Sequence, residues 1–289
     1  MKRGFMLTAI TVVLFMVLIN TAFQYSQSSS AYSKRISEMI VSEKVSYTFD
    51  DITEDVTRIV GFNITQRASD LIIADSLPAS INVTKNLALY ENFTRNYYLT
   101  PEIEAKFLDK NNQPINLSAL SSNISISPFN LTYGYTNFSK NDILIKIPSS
   151  QLGAIQYTWY NLTVTSGNFS NFSSIAWNSS PAPCSMNCMN LYLVDNFAIN
   201  QFNSTFNNTY SGYLNMSFVD QNCSLEIRVG NPYILNLTNH GCSISSQIQL
   251  TLNTSNIQPH FPEKLSIRDI NYNTSKTDNI DVIVRRMLK

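Results

Sequence analysis

The tripeptide Asn-x-Ser/Thr, with x not proline, is the acceptor for N-linked glycan transfer. It occurs 18 times in this sequence. The asparagines are Asn63, Asn82, Asn92, Asn116, Asn123, Asn130, Asn137, Asn161, Asn168, Asn171, Asn178, Asn203, Asn207, Asn215, Asn222, Asn236, Asn253 and Asn273. That is roughly 2.5 times what random placement of the same residues gives, so chance is a poor account of it. None precedes Asn63.

Cysteine supplies the second chemistry. Cys184, Cys188, Cys223 and Cys242 all lie in the second half of the chain. An even count outside the cytosol reads as two disulfides. Of the three pairings, Cys184 with Cys188 and Cys223 with Cys242 fits best. The second pair brackets two apolar runs around Gly230-Asn231-Pro232, which is a hairpin pattern. A four-cysteine zinc site wants two C-x-x-C knuckles, and only one close pair exists here, at another spacing.

Other reactive side chains are sparse. Asp50, Asp51, Glu54 and Asp55 form an acidic group that reads as a charged helix face, with no EF-hand spacing. The only histidines are His240 and His260, and His240 beside Gly241 suits a turn. No H-E-x-x-H, G-x-S-x-G, Walker or G-x-G-x-x-G pattern occurs. The expectation is therefore no enzyme, no cofactor and no metal. Twenty basic and 20 acidic residues cancel, which gives no electrostatic reason for a nucleic-acid partner. Charged residues make up only 14% of the chain, and glycans would supply the missing solubility.

These groups need elements to position them. Met1 to Arg3 is a basic head, and Phe5 to Phe23 is nearly all apolar. Its strictest core, Phe5 to Ile19, is about 15 residues, and the full run reaches about 19, the length of a short membrane helix. The expectation is a retained, single-pass anchor over residues 1–23, with the lipid bilayer as partner through residues 5–23. Lys2 and Arg3 keep its N-terminus cytoplasmic, and residues after about 24 lie outside. A cleaved signal peptide and a secreted chain form the alternative.

Residues 24–61 read as a helical stalk, which the Ser-rich stretch Gln27 to Ser33 threatens to interrupt. Val45, Phe49, Ile52, Val56 and Ile59 follow a heptad seam, open either to neighbouring copies or to the chain's own head. Gly61 is placed to end the helix. From residue 62 to 289 the pattern is β-rich, with a helix over Ile81 to Tyr98 and a subdivision or long loop near 180. Alternation puts Leu214, Met216 and Phe218 inward and sequon Asn215 outward, and treats Asn236 and Asn253 likewise. Tyr157 and Trp159 break this rule by sharing a face with Asn161. The expected fold class is α+β, mainly β: an N-terminal membrane helix, a helical stalk, then an antiparallel β-sandwich-like ectodomain.

Lys2-Arg3-Gly4-Phe5-Met6-Leu7, followed by the apolar run, resembles the N-terminus of type IV pilin-like proteins, with dense sequons and paired cysteines suggesting an archaeal surface protein. The resemblance covers about residues 1–23. It implies cleavage after Gly4, a new N-terminus at Phe5 and a helix running on into a head domain. Self-association through residues 5–60 would follow. The family usually carries Glu at the fifth mature position, where this chain has Ala9. The functional expectation is a membrane-anchored, N-glycosylated cell-surface protein for adhesion, binding or envelope structure. A pilin-like filament subunit is the first alternative and an extracellular enzyme the second.

Overall fold

The computed structural model describes residues 2–77, 82–138, 142–165, 174–177, 184, 188–195, 201–207, 210–218, 222–230 and 233–286. A single helix, α1 (Lys2–Val60), opens the chain. At 1.5 Å per residue its 59 residues rise roughly 90 Å. The serines at 28–30 do not interrupt it. Gly61, at φ 79°, ends it by donating its N–H to the Thr57 carbonyl at 2.9 Å.

The heptad seam is occupied by the chain's own head. Val45, Phe49, Ile52 and Val56 are buried, and Ile59 packs against the same core. The self-association expected through residues 5–60 is corrected accordingly: the seam cannot serve neighbouring copies, because the chain's own head covers it. Phe62, just past the glycine, stacks on Tyr135 at 5.7 Å and meets Phe261 and Tyr133 at 5.9 and 5.8 Å. This aromatic cluster fixes the helix end beneath the sheet.

The membrane anchor is also corrected. Among the described residues no helix is long and apolar enough to cross a membrane. Asn20 and then Gln24 to Ser30 bring polar residues into the same helix directly after the apolar run. The single-pass topology, the bilayer as partner through residues 5–23, the cell-membrane localisation and the function built on them fall with it.

Among the described residues the head holds two sheets. In spatial order the first comprises β11 (Gln201–Asn207), β10 (Cys188–Asp195), β8 (Ile155–Val164), β15 (Ile244–Leu252), β2 (Asp70–Leu77), β1 (Ile64–Arg67) and β18 (Val284–Arg286). The second runs β4 (Pro114–Ile115), β3 (Ile103–Leu108), β16 (Gln258–Asp269), β5 (Asn123–Ser127), β6 (Leu131–Gly134), β7 (Asp142–Lys146), β14 (Tyr233–His240), β13 (Cys223–Gly230), β12 (Gly212–Phe218) and β9 (Ser174–Trp177), with β17 (Thr274–Asp281) on β16. Buried side chains from both sheets and from α1 join one hydrophobic cluster.

The first sheet is mixed, not antiparallel as expected. β8 pairs in parallel with β10, and β1 with β18. Between β8 and β10 the chain visits the other sheet as β9, so it re-enters in its original direction. The stretch 178–183, where a subdivision was expected, lies outside the described residues. Strands before and after it share both sheets.

One helix, α2 (Val83–Phe93), followed by a π turn at Thr94–Tyr98, sits beside α1. Asn82 caps it, its side chain accepting the Lys85 N–H at 2.9 Å. Val83 and Leu87 are its buried apolar contacts.

Truncating the seam should be costly. Ile52→Ala is expected to lower the stability of the whole chain by roughly 2–5 kcal/mol, read from urea denaturation followed by circular dichroism. A change within the scatter of surface substitutions would mean that the helix end is not part of the cooperative core.

Candidate functional site

The acidic group sits where helix and head meet. Asp50 accepts from Lys276 Nζ at 2.9 Å, and that ammonium lies 4.3 Å from the centre of the Phe49 ring. Asp51 accepts from the Tyr98 hydroxyl at 2.8 Å, and Asp55 from the Tyr90 hydroxyl at 3.0 Å. Glu54 pairs with Arg58 on the helix itself. Three of the four carboxylates are therefore spent on docking α1 to α2, its π turn and β17. Thr57 adds a bond from its hydroxyl to the Asp281 carbonyl at 3.2 Å, and Lys44 pairs with Glu102 at 3.5 Å. The arrangement holds two elements in register.

Burial, followed by the Asp51 contact, pushes the Tyr98 hydroxyl up to about 12. Burial and Asp55 raise Tyr90 in the same direction. The neutral phenol is the form that donates to the carboxylate, so the folded state favours the protonated tyrosine.

Ahead of this junction the helix is bare. Every residue from Val12 to Ile19 is apolar and more than half exposed, and Phe23, Met39 and Ile40 are exposed as well. The head begins to cover α1 only near Val41. Gly4 and Phe5 lie in the first turns of α1.

The sequons are on the head. Asn168, Asn171 and Asn178 lie outside the described residues. None of the other sequon asparagines is buried: Asn123, Asn161, Asn207 and Asn236 are half-buried and the rest exposed. Among the described residues the buried asparagines are Asn190 and Asn239, and neither is in a sequon. Asn239 holds Cys242 in place by bonds of 2.9 Å from its N–H and 2.8 Å to its carbonyl. Asn215 and Asn253 are exposed next to buried strand neighbours. On β8 the inward residues are Thr158, Tyr160, Leu162 and Val164, so Tyr157 and Trp159 face outward with Asn161.

Two disulfides are formed, Cys184–Cys188 and Cys223–Cys242. The second ties β13 to the end of β14, across the mouth of their hairpin. Its cysteines are buried. His240 is exposed at the same end, while His260 is cross-strand partner to Asp281.

Sequence reasoning missed Tyr90, Tyr98 and Lys276 as partners of the acidic group. Only their distance from α1 along the chain hid them, since an acidic helix face beside apolar seam residues is a signal for a polar rim. Comparison with protein-family models, with curated proteins and with solved structures returned no match.

The tyrosine contacts have a defined pH window. With Tyr98 raised from 10 to about 12, its contribution is intact below about pH 10 and drains as pH rises toward 12. Tyr98→Phe is expected to flatten the loss of stability across that window, measured by denaturant titration at each pH. Identical slopes for both chains would refute the assignment. Reducing Cys223–Cys242, which closes a loop of 19 residues, should cost about 3 kcal/mol, read as a lower denaturation midpoint in Cys223→Ser/Cys242→Ser.

Proposed function

We propose that this chain is a subunit of an assembly of identical copies, held together by the free part of α1 and displaying the two-sheet head. The observation that carries this is the uncovered apolar stretch from Val12 to Ile19. A surface helix normally keeps a polar face, and a helix apolar all round wants burial on every side. One neighbour covers one stripe, so several copies are needed around each helix. The head leaves room for them, because it takes only the helix beyond about Val41.

Two further features support the reading. The resemblance of Lys2 to Leu7 and the run after it to type IV pilin-like N-termini implies packing of this kind. The sequons, proposed as glycan acceptors, are confined to the chain from Asn63 onward, so bulky sugars would keep clear of the helix.

Sedimentation of the full chain in detergent-free buffer tests the proposal. The expected result is a multimer that Leu14→Lys/Leu18→Lys converts to monomer while the head's thermal transition stays in place. A monomeric unaltered chain would overturn it. Mass measurement of the N-terminus tests the resemblance separately, since a chain beginning at Phe5 supports it and an intact Met1 removes that support.

A further inference from the structure

We propose that the outer face of the seven-stranded sheet is a binding groove for neutral carbohydrate, built around Trp159. The pairing register puts three short rows of side chains side by side on this face. Asn203, Tyr192, Asn161 and Gln247 are successive neighbours across β11, β10, β8 and β15. One row on either side come Thr205, Asn190, Trp159 and Gln249, and Gln201, Val194, Thr163 and Ser245. A groove of about 560 Å³ lies over them, lined by Trp159, Asn161, Thr163, Tyr192, Asn203 and Gln247 among others. That size falls within the range of about 300–1,000 Å³ usual for small-ligand sites.

The lining chemistry selects the ligand. Among the described residues no lining side chain carries a charge, so these residues offer neither an anion nor a cation a counter-ion. The groove at Gln258, by contrast, holds Asp278, Asp281, His260 and Arg286. What the Trp159 groove offers is carboxamides and hydroxyls, which both donate and accept, beside flat aromatic surface. A pyranose presents the matching pattern: a rim of hydroxyls and a face of C–H groups. Aromatic rings with a polar edge suit such half-apolar partners.

The indole is held for this purpose. Trp159 Nε1–H donates to Asn161 Oδ1, and the Tyr157 ring lies 6.2 Å away. An aromatic side chain on the outer face of a sheet is half-exposed here with its orientation already set, which lowers the entropic cost of binding. Both described lining asparagines, Asn161 and Asn203, are themselves sequon residues, and Thr163 completes the first. The same sugar chemistry therefore has two sources: a glycan carried on Asn161 or Asn203, or a separate oligosaccharide. The inference does not depend on assembly through α1.

The experiment uses the full chain from two hosts, one without N-glycosylation and one with it. Calorimetry with N-acetylglucosamine and mannose trisaccharides is run on the unmodified chain, and melting is followed on both. A separate ligand predicts binding to the unmodified chain, weakened about tenfold or more by Trp159→Ala and also by Gln247→Ala, with Asp281→Asn without effect. An attached glycan predicts that Trp159→Ala and Gln247→Ala lower the melting temperature more in the glycosylated chain than in the unmodified one. Neither trisaccharide binding together with equal melting shifts in the two forms overturns the proposal, as does binding that both substitutions leave unchanged.

Discussion

The rest of the structure depends on the burial of one helical stripe. Val45, Phe49, Ile52, Val56 and Val60 lie in the core of the head, at 3% exposure or less. At roughly 1.5–3 kcal/mol for each large apolar side chain buried, this stripe outweighs any single polar contact at the junction. The polar contacts do something else. Lys276 with Asp50, Tyr98 with Asp51 and Tyr90 with Asp55 flank the stripe along its solvent-facing edge. Apolar burial supplies the affinity, and the polar rim fixes rotation and register. Because the helix end is part of the core, the direction of the free helix is set by the head itself.

A fold of this kind is only partly legible in its sequence. Strands with clean alternation stand out, as at Leu214 to Phe218 or Ile248 to Leu252, because one buried face imposes period two. β17 does not, since TSKTDNID holds a single buried residue, Ile280, and pairs only along one side of β16. β16 hides for another reason. Its two prolines, Pro259 and Pro262, argue against a strand, and the structure accommodates Pro262 at a register shift between His260 and Lys264. The parallel pairing of β8 with β10 is a property of the path through β9, which no local pattern encodes.

The site residues divide in the same way. The sequons are local chemistry and can be read directly, and strand parity correctly predicts that Asn215 and Asn253 point outward. The heptad seam is visible, but its partner is not: a 4-3-4 spacing fits a neighbouring copy as well as the chain's own sheets. The Trp159 groove is made by register across four strands, three of them far apart in sequence. Its one local sign is an aromatic residue two places before a sequon, on the face that alternation assigns to solvent. The membrane reading falls because the polar residues that follow the apolar run belong to the same helix.

The docking of α1 also sets a clock. Asp50 and its partner Lys276 are separated by 226 residues. At about 5–20 residues per second, a ribosome needs roughly ten to forty-five seconds to deliver that partner. β17 and β16, which cover the stripe, are among the last strands made, and β18 then pairs with β1, the first. Throughout that interval the seam is a second sticky surface on a helix that already has one. Productive folding therefore turns on restraint: something must keep the early helices of adjacent nascent chains apart until each head has closed over its own.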